Sequence, residues 1–147
     1  MRSLRSSLLR QAVRKFARMF ILKKITLDFR ETGRTVLTDG KWLSFVVEQV
    51  LSNALKYTPP GGSVTLSAER YELFCRIRVT DSGPGIPEEE QAQIFSRFYR
   101  GAAVRDQDGL GLGLYLTRRI LIRQGGYLRL SSRPGQGSEF SLYLPLE

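Results

Sequence analysis

Two glycine-rich segments constrain the fold of this chain more than any other feature. Asp81-Ser-Gly-Pro-Gly-Ile-Pro87 directly follows an apolar, strand-like run, and Gly109-Leu-Gly-Leu-Gly-Leu114 directly precedes a helical pattern. Because the second segment does not follow a predicted strand, it argues against a dinucleotide-binding fold, and the chain has no GxxxxGK[ST] phosphate loop. Each segment alone predicts only a turn. Glycines in both would let a ligand approach the backbone closely.

The pattern of apolar residues predicts an α+β fold. We expect a two-layer α/β sandwich, with helices on one face of a mixed, mostly antiparallel sheet. The predicted helices occupy residues 1–24, 40–57, 88–95 and 111–124. The predicted strands occupy residues 25–29, 35–37, 63–69, 74–81, 127–131 and 139–144. The first two strands are expected to form a hairpin, and Asp39 is expected to cap the second helix. The polar stretch between residues 100 and 109 predicts a loop.

Residues 1–24 form a basic segment before a domain that spans residues 25–147. The net charge is +9, and residues 1–24 hold eight basic and no acidic residues, which leaves 15 basic and 14 acidic residues elsewhere. Apolar residues recur every four positions, which predicts an amphipathic helix with a basic outer face. These residues are Leu4, Leu8, Ala12, Phe16 and Phe20. We expect the helix to pack on the domain or lead into it. Contact with anionic lipid or a partner helix is the alternative, and no nucleic-acid binding is expected.

Composition excludes several classes of site and location. Arginines interrupt the N-terminal segment every three to five residues, so neither a signal peptide nor a membrane span is predicted, and a cytoplasmic location is expected. Cys75 is the single cysteine and lies in a strand-like run, so we expect a buried apolar residue. The chain contains no histidine, which excludes imidazole metal ligands, Ser-His triads and a phosphohistidine within the chain.

A few polar residues beside the glycines suit a nucleotide. Asp81, at the end of an apolar strand, can accept a hydrogen bond from an exocyclic amine such as that of adenine. The backbone N–H groups near Gly109, at the start of a helix, can receive phosphate oxygens. Asn53 and Lys56 share one helix face, and they combine an amide oxygen suited to Mg²⁺ with an ammonium suited to phosphate. Gln49 lies one helical turn before Asn53.

Four sequence blocks, in order, resemble the N, G1, F and G2 boxes of the sensor histidine kinases. These kinases belong to a wider ATPase superfamily that includes gyrase, heat-shock protein 90 and MutL. The blocks are residues 48–59, 81–86, 94–100 and 109–114, and residues 135–138 resemble a further glycine turn. The resemblance covers about residues 25–147 and implies a Bergerat-type ATP-binding fold. The sequence Ile94-Phe-Ser-Arg-Phe-Tyr-Arg100 is usual in sensor kinases and absent from gyrase-like ATPases.

The resemblance implies roles for individual residues, with ATP and Mg²⁺ as cofactors. Glu48, Asn53 and Lys56 would be catalytic, and Asn53 would bind Mg²⁺, with Gln49 or Glu48 assisting. Lys56 would contact phosphate, Tyr57 would lie against the adenine, and Asp81, Gly83, Gly85 and Ile86 would form the adenine pocket. Phe95 and Phe98 would anchor a lid between residues 100 and 109. Arg100 and the residues Gly109, Leu110, Gly111, Leu112, Gly113 and Leu114 would bind the phosphates.

The resemblance also implies an activity and partners. The γ-phosphoryl of Mg-ATP would pass to a histidine on a dimerisation and phosphotransfer domain that is absent from this chain, and then to a response regulator. The parent kinase would be anchored in the bacterial inner membrane, the only expected contact with a membrane. Two alternatives stay open at this point: a standalone serine kinase that acts as an anti-sigma factor, and a non-catalytic ATP-responsive interaction module.

Overall fold

The computed structural model describes residues 3–4, 6–30, 36–37, 42–96 and 113–146. In chain order, its elements are β1 (Ser3–Leu4), α1 (Ser6–Leu22), β2 (Thr26–Arg30), β3 (Val36–Leu37), α2 (Leu43–Tyr57), β4 (Ser63–Tyr71), β5 (Phe74–Asp81), α3 (Glu88–Gln91), α4 (Gly113–Arg123), β6 (Tyr127–Ser132) and β7 (Ser138–Pro145). Five strands form a sheet in the order β2-β4-β5-β7-β6. Only the β2–β4 pairing in this sheet is parallel, so the predicted mixed, mostly antiparallel sheet is confirmed.

One face of the sheet carries the hydrophobic core. Alternate residues of β5 are buried, including Cys75, Ile77 and Val79, as the two-residue period of a strand requires. The apolar stripe of α2 packs on this face, and Val50 and Leu51 are fully buried. Burial raises the pKa of the Cys75 thiol to about 12, and the prediction of a buried apolar cysteine is confirmed.

The opposite face of the sheet carries charged and aromatic side chains. Glu69 accepts hydrogen bonds from Arg76, at 2.6 Å, and pairs with Arg78, at 2.9 Å. The rings of Tyr127 and Tyr143 stack with their centroids 4.2 Å apart. We refer to these five residues as the outer sheet face.

Helix α1 packs its apolar stripe into the same core. Ala12, Phe16 and Phe20 of the predicted stripe are buried, as is the neighbouring Leu9. The side chain of Leu8 lies outside the described part of the structure. Leu4 was expected on this stripe, but it lies in β1, which pairs with β3. A spacing of four residues cannot separate a helix from the strand that precedes it. No helix among the described residues is long and apolar enough to cross a bilayer. The boundary between residues 24 and 25 stays a prediction.

The predicted hairpin of residues 25–29 and 35–37 is wrong. β2 pairs in parallel with β4, and β3 pairs with β1. The connection from β2 to β4 includes α2, which is the usual way to join parallel strands. The turn-like residues between β2 and β3 therefore do not bring those two strands together.

Two helix boundaries also differ from the prediction. α2 begins at Leu43, and its N-cap Trp42 makes no side-chain capping bond. The predicted cap, Asp39, lies outside the described residues. α3 ends at Gln91 rather than near residue 95. The following residues form tight turns, in which an N–H bonds to the carbonyl three residues earlier; for example, the Ser96 N–H donates to the Gln93 carbonyl.

Replacing Leu51 by alanine should remove buried apolar contacts between α2 and the sheet. The free energy of unfolding, measured by urea denaturation, should fall by about 2–5 kcal/mol. Leu73→Ala is the matched control, because Leu73 is 76% exposed. It should change stability by less than about 0.5 kcal/mol. Equal losses in the two variants would contradict the assignment of α2 to the core.

Candidate functional site

The C-terminal end of α2 lies against the turn that follows β5. A β-carbon on Gly83 would lie 3.0 Å from the Tyr57 carbonyl oxygen and 3.0 Å from Asp81 Oδ1. Both distances are shorter than ordinary contacts, so a residue with a side chain would have to shift its neighbours. The structure thus brings together Tyr57, Asp81 and Gly83, which the sequence analysis assigned to one site.

The Asp81 carboxylate is buried at this junction. The alternation along β5 turns its side chain toward the core, and 6% of the residue is exposed. The carboxylate accepts the Gly83 N–H, at 2.9 Å from Oδ1, and the Ser138 N–H. Burial raises the pKa of Asp81, and the two backbone hydrogen bonds offset part of that rise. A carboxylate in this setting suits a ligand that brings a further N–H donor.

The turn after Asp81 is held by the segment between β6 and β7. Gly85 has a φ of +77°, and a β-carbon there would lie 2.2 Å from the Arg133 carbonyl oxygen. The Ile86 N–H donates to the Ser132 hydroxyl at 2.8 Å, and the Ile86 side chain is buried. The glycine turn that precedes β7 therefore supports the Asp81 turn.

The first turn of α4 also lies against α2. A β-carbon on Gly113 would lie 2.8 Å from the side-chain oxygen of Gln49. The hydroxyl of the fully buried Thr117 donates to the Gly113 carbonyl at 2.8 Å, and Leu114 is buried. Because the N–H groups that begin a helix have no partner within it, this end of α4 suits an anion beside α2.

Asn53 lies on α2 one turn after Gln49, and its side-chain nitrogen is buried. The Nδ2 atom of Asn53 has no hydrogen-bond partner among the described residues. Such a group costs about 1–3 kcal/mol when nothing engages it. A flip of the Asn53 side-chain amide would place its oxygen where Nδ2 lies. Two amide oxygens on one helix face fit Mg²⁺, which takes one or two protein ligands and keeps several waters.

Glu48 has a different partner. Its carboxylate pairs with the Lys15 ammonium of α1, which is 65% exposed. This ion pair ties α1 to α2. Glu48 is therefore engaged by α1, whereas the side-chain oxygen of Gln49 lies at the first residue of α4.

A groove of about 550 Å³ opens where the end of α2 meets the Asp81 turn. Its lining residues come from three segments of the chain. They are Lys23, Lys56, Tyr57, Pro59, Pro60, Ser82, Gly83 and Pro84. Lys56 is exposed, so its ammonium can reach an anion in the groove. Among the residues that the structure describes, two lysines and no acidic residue line this groove, which suits phosphate groups.

Phe95 is anchored between two elements near this site. Its ring packs edge to face on Phe140 of β7, with centroids 6.4 Å apart, and the Arg118 guanidinium of α4 lies 5.5 Å from its centroid. The other predicted residues of this region lie outside the described residues, as does the predicted lid between 100 and 109. They are Phe98, Arg100, Gly109, Leu110, Gly111 and Leu112.

Three residues at the site were not identified from the sequence. Ser138 donates its backbone N–H to Asp81, a contact that follows from the register of β5 with β7. Thr58 is fully buried, and its hydroxyl has no partner among the described residues. Lys23 bonds the end of α2. Thr58 directly follows Tyr57, and Ser138 ends the glycine turn at residues 135–138, but neither motif indicated the role of the residue. Lys23 lies outside every motif.

Most of the chain matches one protein family. Residues 38–147 match the family described as histidine kinase-, DNA gyrase B-, and HSP90-like ATPase. The chain is 41% identical over 121 residues to the sensor protein DivL of Caulobacter vibrioides, covering 82% of this chain and 15% of DivL. It is 36% identical over 141 residues to the sensor protein kinase PmrB of Pseudomonas aeruginosa, covering 95% of this chain and 30% of PmrB.

A solved structure shares the fold. Full-length ShkA in complex with AMPPNP has a TM-score of 0.83 and 30% identity to this chain, covering 95% of this chain and 29% of ShkA. The chain spans 15% of the length of DivL and 30% of that of PmrB. The likeness therefore concerns one part of these longer proteins.

Asp81→Asn should change how stability depends on pH. Because the pKa of Asp81 is raised in the folded chain, folding favours the neutral carboxyl. This preference raises the free energy of unfolding. The increase is complete below the unfolded pKa, about 3.9, and is lost as the pH rises through the pKa of Asp81 in the folded chain. Urea unfolding from about pH 4 upward should show the unmodified chain losing stability relative to the variant. A difference that stays constant, or that grows in favour of the unmodified chain, would contradict this expectation.

Proposed function

Because the chain belongs to the histidine kinase-, DNA gyrase B-, and HSP90-like ATPase family, we propose that it binds Mg-ATP as the catalytic domain of a sensor histidine kinase. The proposal rests above all on the junction at Gly83, where the end of α2 and the Asp81 carboxylate meet. It is supported by the sensor kinases among the relatives and by the AMPPNP complex of ShkA.

Asp81 is proposed to recognise adenine by a hydrogen bond. One carboxylate oxygen holds the Gly83 N–H, and lone pairs on the carboxylate can accept the exocyclic amine. That donor would stabilise the charged carboxylate, which burial otherwise disfavours. Tyr57 would lie against the ring, with Gly85 and Ile86 completing the pocket.

The residues that face the start of α4 are the proposed metal and phosphate ligands. Asn53 and Gln49 would hold Mg²⁺, which offsets charge on the phosphates. We favour Gln49 over Glu48 because Glu48 pairs with Lys15. Lys56 would contact a phosphate from the groove, and the N–H groups at Gly113 and Leu114 would bind another. The proposed phosphate roles of Arg100 and Gly109 to Leu112, and that of Phe98 in anchoring a lid, rest on the sequence resemblance alone.

The phosphoryl acceptor must come from outside this sequence, which contains no histidine. The residues of this chain would hold ATP so that the γ-phosphoryl faces an incoming histidine, and positioning would supply much of the acceleration. We propose that the acceptor lies on a dimerisation domain and that a response regulator receives the phosphoryl group next. A parent protein anchored in the inner membrane is part of the same proposal.

Asp81→Asn should weaken ATP binding without unfolding the chain. The Asp81 carboxylate already accepts the Gly83 and Ser138 N–H groups, and the adenine amine would be its third donor. Asparagine has one acceptor oxygen instead of two, and its NH₂ group would face one of these donors. Hydrogen bonds to a charged group contribute about 1.5–3 kcal/mol, so titration calorimetry should show an affinity about ten- to a hundredfold lower. Asp28→Asn removes an equal charge from a side chain that is 51% exposed, and should leave the affinity unchanged. Unchanged binding in Asp81→Asn would remove Asp81 from the site.

Asn53→Ala should weaken ATP binding mainly when Mg²⁺ is present. Removing one metal ligand should cost about 1 kcal/mol of binding free energy, which corresponds to about a fivefold loss of affinity. Calorimetry with Mg²⁺ and with a chelator should therefore show the variant and the unmodified chain converging when the metal is removed. Ser44→Ala, at an exposed position of α2, is the control. The same ratio of affinities with and without Mg²⁺ would exclude a metal role for Asn53.

Phosphotransfer requires a separate test. The chain should phosphorylate a separately prepared histidine-bearing helical domain in the presence of γ-labelled ATP and Mg²⁺. It should not label itself, because it has no histidine. An acid-labile product on the acceptor is expected. Transfer to serine, or no transfer to histidine acceptors under saturating ATP, would count against the kinase assignment.

A further inference from the structure

A lysine after α1 bonds the last turn of α2. Lys23 Nζ donates to the Leu55 carbonyl at 2.6 Å and to the Lys56 carbonyl at 3.2 Å. The last carbonyls of a helix have no partner within it, and an ammonium there also interacts favourably with the helix dipole. Lys23 therefore caps the helix that carries Asn53, Lys56 and Tyr57, although it belongs to a different part of the chain.

The backbone around Lys23 reinforces this junction. The carbonyl of Lys24, which adopts a φ of +63°, accepts the Gly61 N–H at 2.8 Å. The Thr26 N–H donates to the Gly62 carbonyl at 3.0 Å. Two backbone hydrogen bonds thus join the chain that leaves α1 to the loop that leaves α2. Both bonds lie immediately after Lys23 in the chain, so they help to fix its position relative to α2.

We propose that Lys23 is a positioning residue of the nucleotide site. It would hold the last turn of α2 so that Lys56 and Tyr57 face the nucleotide. The Tyr57 carbonyl packs at Gly83, so a shift of this turn would change the distance between α2 and the Asp81 pocket. Two of the three Lys23 donors are engaged by backbone carbonyls of α2, which supports a role that acts through α2. This inference rests on the proposed function.

Nucleotide affinity tests the proposal directly. Lys23→Met keeps the apolar stem and removes the donors, and the affinity for Mg-ATP and Mg-ADP should fall by about three- to tenfold for both nucleotides. Lys24→Met removes the same charge from an exposed neighbouring side chain, and its effect should stay within about twofold. Lys23→Arg retains donors and should recover part of the loss. Unchanged affinity in Lys23→Met, or an equal loss in Lys24→Met, would overturn the proposal. So would a loss confined to ATP, which would indicate direct contact with the γ-phosphate.

Amide hydrogen exchange gives a local readout that a general loss of stability would not produce. In Lys23→Met, the amides of Tyr57 and Thr58 should exchange about tenfold faster, while that of Val50 stays unchanged. Uniform acceleration along α2 would overturn a positioning role. If Lys23→Met does not fold, amide exchange in the unmodified chain provides the test. Protection of the Tyr57 and Thr58 amides would support the interaction of Lys23 with the last turn of α2, and exchange at unprotected rates would overturn it. If the unmodified chain does not bind ATP, the proposed function fails, while the exchange experiment still tests that interaction.

Discussion

The close packing of α2 on the sheet is the interaction on which the candidate site depends. Val50 and Leu51 are fully buried, so the helix cannot move without exposing the core. Its C-terminal end packs so closely on position 83 that a side chain there would have to shift its neighbours, and its Gln49 side chain lies against Gly113. A single helix thus sets the distances among the Asp81 turn, the start of α4 and its own polar residues. Any ligand bound there would be held by parts of one rigid framework.

That framework keeps polar groups in places where they are costly. Asp81 is buried with a raised pKa, and the Asn53 amide has an atom with no partner among the described residues. Well-packed interiors rarely contain such groups unless a ligand or water engages them. On the proposed function, the adenine amine and Mg²⁺ would engage them, so part of the binding free energy would come from groups that the unliganded fold leaves incompletely satisfied.

The sequence predicted the elements better than it predicted their pairing. β5 and α2 have strong periodicity, and both lie close to where it placed them. The parallel pairing of β2 with β4 joins distant segments, and the turn-like residues after β2 suggested a local hairpin instead. Asp81, Gly83 and Tyr57 could be grouped because motif resemblance carries information about position. Ser138 and Lys23 could not be assigned to the site in this way. Ser138 donates its backbone N–H and Lys23 donates to backbone carbonyls, and such contacts depend little on the types of residue they join.

We propose that the junction of α2 with the Asp81 turn and the start of α4 is the nucleotide site. Titration of ¹⁵N-labelled chain with Mg-ATP, followed by amide chemical shifts, tests it most directly. If this junction binds the nucleotide, saturable shifts are expected at Tyr57, Gly83 and Gly113, with little change at Glu69 and Arg76 of the outer sheet face. Shifts confined to the outer sheet face, or no saturable shifts at millimolar Mg-ATP, would contradict it.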